Sequence, residues 1–440
     1  MFQTLKNAWK TQELRGKILF TILVLLLYRL GANIFVPFVD TTLVKQAFSS
    51  NGGLFDYMNM LSGGAFSQGT LFALNVSPYI TASIVIQLLT IAIPALERLS
   101  KQGDEGRKKI NAITRYLTVG LAAITAIGYA TLLNEGQNGV SFLNLPEQKW
   151  FGWVVIVACL VAGSSIIMWL AEKINEHGIG NGISMILFAN ILSSIFSWLQ
   201  SMWSMTFTAY GFDWVGCVIS VGMIVLAIGV MVAIVWFTES ERRIPVQYAK
   251  RQVGRKMYGG QSSNLPLKMN MAGVMPVIFA SSIVSIPMTI ASFCSSDSWF
   301  YKFAYNWFSP STVAYLIVNV VLIFLFSYFY IMISFNPVEV ANNIKNQGGS
   351  VPGIRPGKPT SDYIKKILNR ITTLGAVFLA LVAGLPMLIN IINTLLPNTV
   401  QLPGIAFAGT SMLIVVGVAL ETFRSLESQL AMRNYKGFLD

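Results

Sequence analysis

The chain has 440 residues, 54% of them hydrophobic and only 11% charged, with a formal net charge of +12. A soluble domain carries roughly 25% charged residues, so this composition excludes an ordinary soluble fold and points to a membrane protein. One histidine, His177, and three cysteines at unrelated spacings, Cys159, Cys217 and Cys294, supply neither a disulfide framework nor a metal-ligand cluster.

Apolar runs near the length needed to cross roughly 30 Å of hydrocarbon are expected, in chain order, near 18–37, 71–96, 112–134, 151–171, 182–203, 214–237, 270–294, 312–335, 371–395 and 403–420. The expected fold class is therefore an all-α polytopic membrane protein. Barrel strands alternate and run only about 10 residues, which excludes the β alternative. The first run is too long for a cleavable signal peptide. Between the first two runs lies YMNMLSGGAFSQGTLFAL, 57–74. Gly63, Gly64 and Gly69 break it too often for a span, while Met58, Met60, Leu61, Phe66 and Leu71 make it too apolar for a solvated loop. A re-entrant segment is expected there.

With Met1 inside and the chain alternating sides, all but four of the 31 basic residues fall on the cytoplasmic side; the four are Arg29, Lys45, Lys149 and Lys302. By the positive-inside rule both termini are cytoplasmic. That placement accounts for much of the net charge. Two inside loops, 238–269 and 336–370, are long, basic and rich in Gly/Pro turn signals. They are expected to dock something acidic, either RNA or an acidic protein patch.

The spans are almost free of charge, Arg29 being the exception and read as a packing or snorkelling arginine. Ion-coupled transporters and pumps keep ionisable groups inside the membrane, and this chain does not supply them. GIRPGKPT, 353–360, has the wrong glycine spacing for a phosphate loop and Pro359 where Ser or Thr would hold magnesium. With no nucleophile–base pair and no cofactor motif, the expectation is a conduit rather than an enzyme, powered by a partner. A small-solute secondary transporter and a membrane-anchored scaffold are the competing classes. Five spans plus five gives two units, 1–203 and 204–440, that must insert in opposite orientations, an arrangement that puts a pathway at their interface.

The stretches SPYITASIVIQLL (77–89), SKQGDEGRKKINAITRY (100–116), HGIGNGISMILFANI (177–191), ERRIPVQYAKRQVGRKMYGGQSSNLPLKMNMAGVMPVIFASSI (241–283), NPVEVANNIKNQGGSVPGIRPGKPT (336–360) and GTSMLIVVGVALET (409–422) closely resemble the SecY/Sec61α family. That family forms protein-conducting channels. The resemblance implies ten transmembrane helices in two inverted five-helix halves around a central hourglass pore, closed by a plug at about 53–70 and opening sideways into lipid. It implies that Met58, Met60, Leu61, Ser62, Gly63, Gly64 and Phe66 belong to the plug. Ile80 and Ile84 are four apart, as are Leu187 and Ile191, so each pair shares a helix face; by spacing alone such pairs are ordinary core. By resemblance they form a pore ring with Ile278 and Ile414, Leu187 standing where isoleucine is common. Thr81, Ser83 and Gln87 against Ser281 and Ser282 are the implied lateral-gate seam, with plain helix–helix hydrogen bonding the competing reading. Arg242, Arg243, Lys250, Arg251, Arg255, Lys256 and Arg355 are implied to meet the SecA motor ATPase or the ribosome. Implied partners are SecE, SecG, signal peptides, nascent chains and lipid, in the bacterial cytoplasmic membrane.

Overall fold

The computed structural model describes the chain except for residues 1–5, 7, 50–58, 60–61, 136–141, 145–147, 209–210, 213, 249–250, 254–255, 259–261, 292–297, 310–311, 396–408 and 437–440. Most of what is described is helix. The first half comprises α1 (Gln12–Gly31), α2 (Thr41–Ser49), α3 (Ser77–Ala92), α4 (Pro94–Lys101), α5 (Asp104–Glu135), α6 (Lys149–His177) and α7 (Gly182–Thr206). The second comprises α8 (Trp214–Glu239), α9 (Met275–Ala291), α10 (Trp299–Phe308), α11 (Val313–Ser334), α12 (Pro337–Asn346), α13 (Lys358–Leu395) and α14 (Thr410–Lys436). Between α7 and α8, β1 (Phe207–Thr208) pairs antiparallel with β2 (Gly211–Phe212).

Each of the ten expected runs coincides with a helix, yet only six described helices are long and apolar enough to span a membrane by themselves. The shortfalls have local causes. The second run starts at Ser77, because turns occupy 62–76, and breaks where Ile93, preceding Pro94, is extended. A residue before proline is pushed out of the helical region, and α4 leaves at 102° to α3. Counting that bent pair gives a seventh span. α1 carries Glu13, Arg15 and Lys17 at its start and Arg29 near its end. The expected runs over α9 and α14 extend into 292–297 and 401–408, outside the described residues.

Helices of the first half pack chiefly on one another, α3 on α5, α5 on α6, and α6 on α1 and α7; in the second half α11 packs on α9 and α13. The halves meet where α7 contacts α8 and α14, and where α9 contacts α3 and α5. Large apolar side chains on the outward faces, such as Leu26, Leu30, Val225, Trp236 and Leu381, are exposed, as lipid-facing surfaces require.

The two long basic loops build one body instead of two separate surfaces. Residues Glu241–Tyr248 (β3) pair antiparallel with Ser262–Lys268 (β6), and Gly349–Ser350 (β7) adds to the other edge of β3. A short hairpin, β4 (Arg251–Val253) with β5 (Lys256–Tyr258), lies between β3 and β6 in sequence. Strand β3 alternates at its buried end, Ile244 and Val246 turning inward, the period-2 pattern of a half-buried strand. They close a core with Leu267, Ile344, Val351, Ile364, Leu368 and Ile371. Helix α12 starts cleanly because Asn336 caps it, its Oδ1 accepting from the Val338 and Glu339 amides at 3.2 and 3.4 Å, with Pro337 in the first turn.

Leu267 is 1% exposed, and its truncation to Ala is expected to cost about 2–5 kcal/mol. Tryptic cleavage within 238–269 of the membrane-embedded protein should rise for Leu267→Ala, and less for the half-buried Leu265→Ala. Equal cleavage in Leu267→Ala and the unaltered chain would contradict a packed body.

Candidate functional site

Four helices bring the six expected constriction residues to one place. Ile84 of α3, Leu187 and Ile191 of α7, Ile278 of α9 and Ile414 of α14 are buried members of a single hydrophobic cluster, and half-buried Ile80 packs against it. Ile191 is fully buried and Ile278, the most open of the five, is 9% exposed. The sequence explains why the cluster is free of charge: α3, α7 and α9 contain no Asp, Glu, Lys, Arg or His, and α14 contains none before Glu421. Apolar rings in channels can block ions by excluding water.

Beside this cluster sits the segment leading into α3. Residues 62–69 form successive turns, Gly63, Gly64 and Gly69 having φ of +64°, +92° and +62°, values glycine adopts without strain. Its backbone is held from several directions. The Tyr129 hydroxyl of α5 donates to the Phe66 carbonyl at 2.6 Å, and Phe66 stacks obliquely on the same ring. The Ser62 hydroxyl donates to the Asn59 carbonyl at 2.9 Å and accepts from the Phe66 amide at 3.0 Å. The Val36 amide donates to the Gly69 carbonyl at 3.1 Å and the Leu71 amide to the Ile34 carbonyl at 2.8 Å. Gly163 of α6 admits the Leu71 backbone so closely that a Cβ there would collide with it. Of the plug residues expected from the sequence, Ser62 and Phe66 are buried, Gly63 and Gly64 half-buried, and Met58, Met60 and Leu61 lie outside the described residues.

Sequence reasoning missed a buried polar network at the junction of these two features. Asn190 Nδ2 donates to the Tyr28 hydroxyl at 2.8 Å and to Asn75 Oδ1 at 3.3 Å, while Tyr28 donates to the same Asn75 oxygen at 3.4 Å. These residues tie α1, the end of the turn segment and α7 together one position before Ile191. The available signal was Asn190 itself, an amide side chain set between Ala189 and Ile191 in a predominantly apolar span, a position that is costly unless paired.

The expected gate residues lie on helices in contact, α3 and α9. Four of the five side chains find a partner on their own helix: Thr81 donates to the Ser77 carbonyl at 3.1 Å, Gln87 to the Ser83 hydroxyl at 3.3 Å, and Ser281 to the Ile278 carbonyl at 3.0 Å. Ser282 is half-buried, and its carbonyl accepts from the Ser285 hydroxyl at 2.7 Å.

The expected docking cations lie on the loop body. Arg242 and Arg243 are exposed on β3, Arg243 paired with Glu241 at 2.6 Å. Arg251 and Lys256 open β4 and β5 with side chains outside the described residues, as are Lys250 and Arg255 altogether. Arg355 is exposed in a turn between Gly353 and Gly357, with φ of +79° and +106°, and the Thr360 hydroxyl pins its carbonyl at 2.9 Å. At the body's base, partial burial, and secondarily the Arg424 guanidinium, pushes the Lys268 ammonium below its ordinary pKa.

Comparison with known proteins places this geometry. The SecY family model matches residues 70–423. A relative from Streptomyces galbus, a protein translocase subunit SecY, is 43% identical over 453 residues, covering all of both chains. A solved SecY channel, whose plug domain is described as stabilising the closed state and maintaining a membrane seal, superposes with a TM-score of 0.65 at 18% identity, covering 94% of this chain and 92% of that one. Sec61 in a canine ribosome–channel complex from the endoplasmic reticulum does so with a TM-score of 0.62 at 17% identity, with the same coverage. At those identities the structures speak for the fold.

Proposed function

The chain belongs to the SecY family, and from that premise we propose that it is a gated, passive channel carrying unfolded secretory polypeptides across a membrane and releasing apolar segments sideways into lipid. It is a multi-pass membrane protein of a channel family and catalyses no reaction. The observation that carries the reading is the convergence of Ile80, Ile84, Leu187, Ile191, Ile278 and Ile414, from four separate helices, on one cluster. Branched aliphatic side chains fit a dual demand. At rest they pack and exclude water; around a threaded polypeptide they change rotamer and close on any sequence, because dispersion contacts are non-directional. The glycine-rich turns of 62–69 are the plug in this reading, since a segment without helical hydrogen bonds can leave its seat without unwinding a helix. The α3–α9 contact is the lateral gate. Thr81, Gln87 and Ser281 already bond within their own helices, so separating α3 from α9 orphans none of those donors.

Two units of about five spans, 1–203 and 204–440, then move against each other. The basic loop body is the docking surface for a force-generating partner, a translating ribosome or the SecA motor, with SecE and SecG as further subunits; a ribosome is the partner in the canine neighbour's complex. The distribution of Lys and Arg supports cytoplasmic termini and a cytoplasmic loop body, and the bacterial SecY relatives support a bacterial plasma membrane.

A cysteine at position 80 or 278 should form a disulfide with a cysteine in a translocation-arrested substrate, while a cysteine at the exposed Leu381 should not; no adduct at 80 or 278, or an equal one at 381, would remove the pore from this cluster. Arg355→Glu should lower SecA-driven export in reconstituted vesicles by tenfold or more (about the effect of reversing one buried-on-docking charge) with unchanged membrane abundance. Full export by that variant would take Arg355 out of the docking surface.

A further inference from the structure

Arg29 is a cation inside an apolar helix, on a turn whose neighbours Leu26, Leu27 and Leu30 are exposed to the surroundings. Its guanidinium turns inward: Nη1 donates to the Gly63 carbonyl at 3.3 Å. Gly63 holds φ of +64°, and a Cβ there would stand 2.7 Å from Nη1 and 3.2 Å from the Asn190 Cα. The missing side chain is what lets the guanidinium and the α7 backbone approach the turn together. The adjacent Tyr28 belongs to the network with Asn75 and Asn190, so two consecutive residues of α1 grip both ends of the 62–76 segment.

We infer that Arg29 is a positioning residue whose guanidinium latches the 62–69 turns in their resting seat through the Gly63 carbonyl. The inference rests on reading that segment as the plug. A charge within a membrane span is expensive and is retained where it has a partner, and a charged donor on a carbonyl is among the stronger single hydrogen bonds. The choice of acceptor suits a latch. A carboxylate partner would leave an ion pair to be separated in a low-dielectric site, whereas a neutral carbonyl can exchange the guanidinium for water once the funnel floods. The bond is therefore firm while the site is dry and weak when a polypeptide brings water in. Gly63 makes it specific, because any side chain at that position collides with the donor.

Resting ion conductance of the intact chain with its co-purifying subunits, in planar bilayers, tests this with four variants: Arg29→Met, Gly63→Ala, deletion of 57–68, and the deletion combined with Arg29→Met. Loss of one charge-assisted hydrogen bond should raise the leak about tenfold for Arg29→Met and comparably for Gly63→Ala. The deletion should leak at least as much, and Arg29→Met should add nothing to it. Labelling of Ser62→Cys by an impermeant maleimide, in a chain with Cys159, Cys217 and Cys294 replaced, should accelerate when Arg29→Met is introduced, and Arg29→Lys should restore much of the protection. If the deletion leaks but Arg29→Met does not, the latch is wrong and the plug stands. If Arg29→Met multiplies the leak of the deletion variant, Arg29 acts on the helices at large and the latch is again wrong. If the deletion does not leak, the plug reading fails, and unchanged labelling of Ser62→Cys by Arg29→Met then overturns the latch independently.

Discussion

Backbone that is not helical cannot lie at membrane depth unless protein supplies its hydrogen bonds, and the stretch from Ser62 to Val76 is organised around that constraint. Tyr129 reaches it from α5, Arg29 from α1, and the 34–36 backbone pairs with 69–71. These bonds come singly from separate elements, so each neutral one is worth only about 0.5–1.5 kcal/mol net and the charged Arg29 donor about 1.5–3. The segment is thus well placed and cheap to displace. A helix in the same position would be neither, since its hydrogen bonds form a cooperative set.

The constriction beside it obeys the opposite logic. Its members offer one another only apolar side chains, so the cluster is held by contact that has no preferred direction. Residues with charge are kept away from it by the sequence of α3, α7 and α9, and Asn190, next to Ile191 in the chain, is paired with Tyr28 and Asn75. The loop body is joined to this membrane part without a flexible break. Helix α13 runs unbroken through 38 residues, about 57 Å at 1.5 Å per residue, from the core of the body, where Ile364 and Leu368 are buried, to its contact with α11.

Much of this architecture was legible in the residues. Each of the ten apolar runs fell on a helix, and the absence of charge in α3, α7 and α9 was visible before any contact was known. The misses have physical causes. The break at Pro94 follows from proline chemistry, but hydropathy carries no information on direction, so the 102° bend was hidden. The loop 238–269 reads as basic and turn-rich, and its alternation covers only Ile244 and Val246 before Tyr248; pairing with Gly349–Ser350 depends on residues about 100 positions away, which no local pattern encodes. Arg29 read as a packing or snorkelling residue because its acceptor is a backbone carbonyl, and a backbone carbonyl leaves no mark in a sequence. The Asn190 network needed three residues from three segments to meet, and only Asn190 stood out.

The distance between spin labels at positions 84 and 278, measured by pulsed electron resonance in lipid nanodiscs, tests the central claim most directly. The account predicts a short, narrow distribution in the resting channel that lengthens and broadens when an arrested polypeptide is held inside. A separation that stays the same with and without the polypeptide would contradict it.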